Sequence, residues 1–278
     1  MPWEYYTADS INFMTDETKC VDLNSFIRLN LTRDELAYLL HINKEIIEKE
    51  ENWYSYDGDM WFLKRRNKMR FIINELLGEY LSMYMNLPTI HYILLVSKGK
   101  IIGVASKNFR EKGAIYQNAF KLTDSDHEKI NKVLLSRPTI FNHKYKKQMY
   151  NYLIRNYYAS QEDRMHNVLC EYKSKRFYLA PLYDYEMSFT SKSGKFFIDP
   201  YFLGVDINPY LLRGLFKKDR SMRDSVNRIL DLDMECALKY LEDNNKIIIP
   251  EDLKKYYLDY DSSRKELILN NIVHSKKD

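Results

Sequence analysis

The rhythm of apolar and polar positions changes near residue 110. Before that point, short apolar runs with β spacing alternate with segments of helical spacing. Residues 32–40 (TRDELAYLL) open with Thr32 and carry Glu35 three positions on, the pattern of a helix start with a capping box. Residues 54–65 read as a turn and a strand, with Asp57-Gly58 as the hairpin signal. Over residues 71–85, Phe71, Ile72, Leu76, Tyr80, Met83 and Tyr84 fall near one helical face, and Leu87-Pro88 ends the helix. The apolar runs 90–96 and 101–105, joined across Lys98-Gly99-Lys100, predict a second hairpin. These elements predict a small antiparallel sheet with one long helix packed on it.

After residue 110 the spacing is mainly helical, over 124–135, 146–158, 223–243 and 250–258. Residues 168–185 interrupt it, where two strand-like runs flank Lys173-Ser174-Lys175 as a third hairpin. The expected architecture is α+β and two-lobed. Residues 1–105 form a sheet lobe with a helical N-terminal extension, 106–110 a hinge, and 111–278 a helical lobe. The cleft between the lobes is the default site.

Composition narrows the class. The 278 residues are 45% apolar and 29% charged, which excludes disorder, and 8 Gly with 7 Pro exclude low-complexity classes. No apolar run approaches the roughly 18 residues of a membrane span. The opening MPWEYYTADS has neither a basic nor an apolar leader region, and the three cysteines are scattered, so a reducing cytoplasm is the expected compartment. Cys20, Cys170 and Cys236 are read as buried small apolar side chains. With 43 Lys+Arg against 39 Asp+Glu, the charge balance makes no case for nucleic acid.

The chemistry concentrates in residues 160–189. Asp163, His166 and Asn167 fall in a polar loop after a helix, and Asp184 follows an apolar strand across the third hairpin. Phosphoryl transfer uses such a set: a carboxylate to orient the attacking hydroxyl, and an amide with a second carboxylate to hold Mg²⁺ on the phosphates. The hairpin would bring Asn167 and Asp184 to one end of a two-stranded ribbon. Upstream, strand alternation sets Phe62 and Lys64 on one side and Leu63 on the other. An inward Lys64 needs a carboxylate, and Glu75 or Glu79 could supply it.

This segment resembles the catalytic core of the HipA-like serine/threonine kinases, relatives of the protein-kinase and phosphoinositide 3-kinase fold. The run Leu179-Ala180-Pro181-Leu182-Tyr183-Asp184 is similar to the family's metal-binding element, and residues 163–167 are similar to its catalytic loop. The resemblance spans roughly residues 54–260 and implies ATP and Mg²⁺ as cofactors. It implies Lys64 as the phosphate-contacting lysine, Glu75 as its ion-pair partner, and Asp163 as the catalytic carboxylate. Asn167 and Asp184 would be metal ligands, and Ser106, Lys107, Asn108 and Phe109 would form the adenine-docking hinge. Asp163 lies four positions before Asn167 and Glu162 five, so either carboxylate could fill the catalytic place. Residues 55–59, with Gly58 alone, are the one candidate phosphate loop. A protein substrate is implied, as is an antitoxin-like partner.

Each residue also has a plainer reading. Asp184 could be a turn residue, Asp163 and Asn167 helix caps, and Lys64 part of the solvated cluster Lys64-Arg65-Arg66-Lys68-Arg70. The order of lysine, helix glutamate, hinge, loop and metal aspartate favours the kinase reading over any of these singly. Its rivals are a kinase-fold phosphotransferase acting on a small molecule or lipid, a pseudokinase, and an RNA-binding protein.

Overall fold

The computed structural model describes residues 20–40, 50–66, 68–110, 115–118, 143–160, 169–173, 176–189, 201–202, 205–206 and 209–274. Its first half holds a six-stranded sheet in the order β1-β5-β6-β4-β3-β2. The strands are β1 (Cys20–Asp22), β2 (Ile27–Arg28), β3 (Trp53–Tyr56), β4 (Asp59–Arg65), β5 (Tyr92–Ser97) and β6 (Lys100–Lys107). Helix α1 (Arg33–Leu40) follows β2, and α2 (Met69–Tyr84) joins β4 to β5.

Local chemistry accounts for the ends of these elements. The Thr32 N–H and hydroxyl both donate to Glu35 Oε2 at 2.8 Å, and the Glu35 N–H returns to Thr32 Oγ1 at 3.3 Å, closing the expected capping box. Asp57 and Gly58, like Lys98 and Gly99, adopt left-handed backbone in two-residue turns that close the two hairpins.

The sheet is larger than its hairpins predict, and it is mixed, because β1 lies parallel to β5. It is also curled. Asp22 on β1 and Ile27 on β2 sit on opposite edge strands, yet five Cα steps reach only about 17 Å. A flat six-stranded sheet would hold its edges about 24 Å apart. Inside the curl, Val21, Phe26, Leu63, Ile93, Leu95 and Ala105 form a core of their own. Phe26, just past β1, meets Tyr56 of β3 with ring centroids 4.8 Å apart.

The outer face of the sheet carries Tyr92, Leu94 and Val104 into the main core, where α2 lies. Alternation along β4 is as expected: Leu63 faces the curl, and Lys64 turns to the side of α2. Helix α2 is buried almost all round, from Ile72 to Met83 with Tyr80 as the partial exception. Such a helix must be covered on every side. The sheet covers one side, and helices from the second half cover the other.

Those helices are α3 (His143–Ala159), α4 (Pro209–Lys218), α5 (Arg220–Leu230), α6 (Met234–Asn245) and α7 (Glu251–Ile268), which runs on into a π-helical turn, Leu269–Val273. Two differ from the expected spans. The helical spacing over 223–243 is two helices, because the Asp233 side chain accepts from the Cys236 N–H at 2.9 Å and caps a new start. Helix α7 continues ten residues beyond residue 258. The third hairpin is present as β8 (Leu169–Lys173) and β9 (Arg176–Leu179), and β7 (Ile115–Asn118) pairs with β8 to make a three-stranded sheet. Strands β10 (Tyr201–Phe202) and β11 (Val205–Asp206) form a further short hairpin. The helix expected over 124–135 lies outside the described residues. Cys20 and Cys236 are free and exposed rather than buried, one on an edge strand and the other on the first turn of α6.

Candidate active site

Lys64 is where three elements meet. Its Nζ lies 2.6 Å from Glu75 Oε1 on α2 and 2.6 Å from Asp184 Oδ1, just past β9. Lys64 is 8% exposed and Glu75 1%. Burial opposes the charge on Lys64, but the attraction and hydrogen bonds of the two carboxylates outweigh it, so the ammonium is held more firmly than in water. Glu75 is pushed the other way. Burial raises its carboxyl above the ordinary range, Lys64 pulls against this, and the nearby Asp184 charge adds to the rise. One cation shared by two carboxylates leaves net negative charge in the site.

Of the two candidate glutamates, Glu75 faces the lysine. Glu79, one turn on, is turned to His91 Nδ1 and accepts from the Tyr92 N–H at 3.1 Å. Tyr92 links the two sets, since its hydroxyl accepts from the Asp184 N–H at 3.0 Å. Burial, then the charges of Glu75 and Asp184, hold the Tyr92 phenol well above its ordinary range and keep it neutral.

The segment carrying Asp184 is stitched in on both sides. The Leu182 N–H donates to Pro88 O at 2.9 Å, and the Ile90 N–H to Leu182 O at 3.0 Å. Asp184 itself sits in left-handed backbone, φ 59°. The Tyr185 N–H donates to Glu75 Oε2 at 2.7 Å, and the Tyr185 hydroxyl meets Thr89 Oγ1 at 2.6 Å and accepts from Ser82 Oγ at 3.1 Å. The Tyr185 ring lies against Gly78, where an added Cβ would fall 2.2 Å from it. The Arg155 guanidinium covers the ring with its carbon 4.5 Å from the centroid.

Sequence reasoning did not single out Tyr92, Tyr185, Asn74 or the pair Arg66–Glu186. Arg66 binds Glu186 Oε2 through Nε at 2.7 Å and through a second guanidinium nitrogen. The signal available was Arg66 in the basic cluster and an acidic residue two positions past Asp184. Glu75, Asp184 and Glu186 place ligand oxygens within 4.8 Å of one another. Asp184 is the most open of the three, and Lys64 and Arg66 supply the neutralising charge. Hard carboxylate oxygens with one open member suit Mg²⁺.

The residues expected to form the hinge run off the end of β6. Ser106 pairs with Phe62 and Tyr92, and Lys107 with Trp61. The Asn108 N–H donates to Met60 O at 2.8 Å. The Lys107 ammonium pairs with Asp59 at 2.5 Å, which neutralises one of the two acidic residues in the 55–59 turn. Phe109 reaches Tyr183, the neighbour of Asp184, with ring centroids 6.0 Å apart. Asp163, Asn167 and the alternative Glu162 lie outside the described residues. The flanking geometry is described: α3 ends at Ala159, β8 starts at Leu169, and β9 runs antiparallel back toward Asp184.

No family model and no curated protein matches this sequence. Solved structures do. A Helicobacter pylori proinflammatory kinase, CtkA, aligns with a TM-score of 0.55 at 14% identity, covering 80% of this chain and 92% of its own. HipA of Shewanella oneidensis MR-1, from a toxin–antitoxin complex with HipB and operator DNA, aligns with a TM-score of 0.54 at 11% identity, covering 91% of this chain and 74% of its own. The chain has an α+β kinase fold of the HipA-like kind.

Proposed function

We propose that this protein is an ATP-dependent serine/threonine protein kinase of the HipA-like type. One observation carries the reading: a buried lysine from the sheet, a glutamate from the central helix and an aspartate after the third hairpin converge within 2.6 Å contacts on a kinase fold. In this reading residues 1–105 and 111–278 are the two lobes, and 106–110 is the hinge. Ser106, Lys107, Asn108 and Phe109 dock adenine. Lys64 contacts the phosphates and is held by Glu75. Asp163 orients the acceptor hydroxyl. Asn167 and Asp184 hold Mg²⁺, which supplies positive charge against the phosphates. The work of the protein is then positioning and charge compensation, with little covalent chemistry of its own.

The supports are the fold, the lysine–glutamate pairing and the partly open Asp184. The test is transfer from γ-labelled ATP with Mg²⁺, first with the protein alone and then with added cell extract. Label on protein hydroxyls that is lost in Asp184→Ala bears the proposal out. Label on a small molecule or lipid would reassign the acceptor. Nucleotide binding without turnover in either condition would make the protein a pseudokinase. Co-purification with a small partner encoded alongside it would support the antitoxin-like partnership.

A further inference from the structure

We infer that Asn74 and Tyr257 act as positioning residues, forming a bracket through which the C-terminal helix α7 holds Glu75 and Asp184 in register. The catalytic consequence rests on the kinase reading above, while the bracket rests on geometry alone. Asn74 precedes Glu75 on α2 and is fully buried. Its amide nitrogen donates to Glu186 O at 2.7 Å, and its Oδ1 accepts from the Tyr257 hydroxyl at 2.6 Å. One side chain therefore joins the helix of Glu75, the segment of Asp184 and α7. Tyr257 is itself fully buried, so no water replaces the bond when it is lost.

A second contact lies one turn earlier. Arg70 donates to Phe189 O at 3.2 Å and to the Tyr256 hydroxyl at 2.8 Å, and Tyr256 also donates to Phe189 O at 2.6 Å. Of two consecutive tyrosines of α7, Tyr256 thus holds the far end of the turn that follows Asp184 directly, and Tyr257 holds its near end through Asn74. The turn needs gripping. Asp184 and Phe189 both adopt left-handed backbone, φ 59° each, and for a bulky residue such as Phe189 that conformation persists only when its surroundings impose it. The Phe189 N–H is spent on Ala159 O at 2.7 Å, tying the same turn to the end of α3.

For α2 to withdraw Glu75 from Lys64, the bonds from Asn74 and Arg70 to Tyr257 and Tyr256 of α7 must break, together with those from Asn74 to Glu186, from Arg70 to Phe189 and from Tyr185 to Glu75. The lysine partner is therefore set in place by α7, with no activating swing of α2 required.

The test uses the full chain and three variants. Tyr257→Phe removes one hydroxyl and keeps the ring that packs edge-on against Phe189. Asn74→Ala removes both bonds. Tyr84→Phe is the control, losing a comparable interhelix bond to Arg228 O, 3.0 Å, at the far end of α2. Amide hydrogen exchange at Asp184 and Tyr185 is expected to quicken by about tenfold in Tyr257→Phe and further in Asn74→Ala, with Leu94 and Val104 unchanged. In the transfer assay, kcat falls by about tenfold or more while KM for ATP stays within about threefold. The control changes neither. Unchanged exchange at Asp184 and Tyr185 in folded Tyr257→Phe, or the same changes in Tyr84→Phe, would overturn the bracket. A wild type that transfers no phosphate overturns the kinase reading instead, and the exchange measurement still decides the bracket.

Discussion

The carboxylate of Glu75 is bound at both oxygens, and Tyr185 holds the second: its backbone N–H reaches Oε2 at 2.7 Å while Lys64 occupies Oε1 at 2.6 Å. A glutamate bound in this way reports on Asp184 as well as on the lysine, because Tyr185 is the next residue along. The pairing and the Asp184 segment are therefore one structural unit, and substitutions in either should be felt in both.

Asp184→Asn separates chemistry from folding. The amide oxygen still accepts from Lys64, and one negative charge leaves a site with too many. Transfer should fall by about 10³-fold or more as charge compensation is lost. The thermal midpoint should hold or rise, as is common when a functional charge is removed. Phosphate transfer and a melting curve on the same preparation check both parts.

Stability should depend on pH through Glu75. Its folded pKa is raised above the ordinary value of 4.5, so the native state holds the proton more tightly. That contribution is present in full below the unfolded value and is lost as pH rises through the folded one. The stability difference between wild type and Glu75→Gln, taken from urea midpoints between about pH 4 and 8, should shift against the wild type as pH rises. A shift in the opposite sense would mean that the attraction of Lys64 outweighs burial.

Gly78→Ala should be costly although the position is helical, where alanine ordinarily helps. The new methyl would meet the Tyr185 ring at 2.2–2.7 Å in a core already closed by Arg155. A loss of about 1–3 kcal/mol is expected from overpacking. The accompanying shift of Tyr185 should reduce transfer. Denaturant unfolding with an activity assay measures both.

Gly103→Ala probes the floor beneath the lysine. A Cβ at this position on β6 would stand 2.0 Å from the Lys64 carbonyl oxygen on β4, backbone against backbone. The two strands must part locally, at about 3 kcal/mol. Unlike Gly78→Ala, this variant should weaken nucleotide binding first, because Lys64 itself is displaced. Titration with a fluorescent ATP analogue checks it.

What could be read from the sequence was what is local. Asp57-Gly58, Lys98-Gly99 and the Thr32–Glu35 box each fix their own backbone within a few residues, and each is present as expected. The third hairpin also formed where its turn was read. Strand alternation set Lys64 opposite Leu63, but helical spacing left Glu75 and Glu79 on one face, and Glu75 was indicated by the family resemblance. Asp184 came from the run of residues around it. What was hidden is what depends on distant partners. Three residues of β1 carry no mark of a parallel pairing with β5. Asn74, Tyr92 and Tyr257 look like ordinary core positions until the chain brings a carbonyl, an amide or another side chain opposite them. The break between α5 and α6 is not visible in the apolar spacing, which runs through it; the one local signal is Asp233, a residue type favoured as a helix cap.

The curl of the sheet also bears on how the molecule meets other molecules. An open sheet presents unpaired N–H and C=O groups along its rim, and another chain can add a strand there. Here the two rim strands are three and two residues long, and the link between them draws the rims together. Among the described residues, the rim of the six-stranded sheet offers a neighbour only these short strands as a template, so strand addition there is disfavoured before any surface charge is counted.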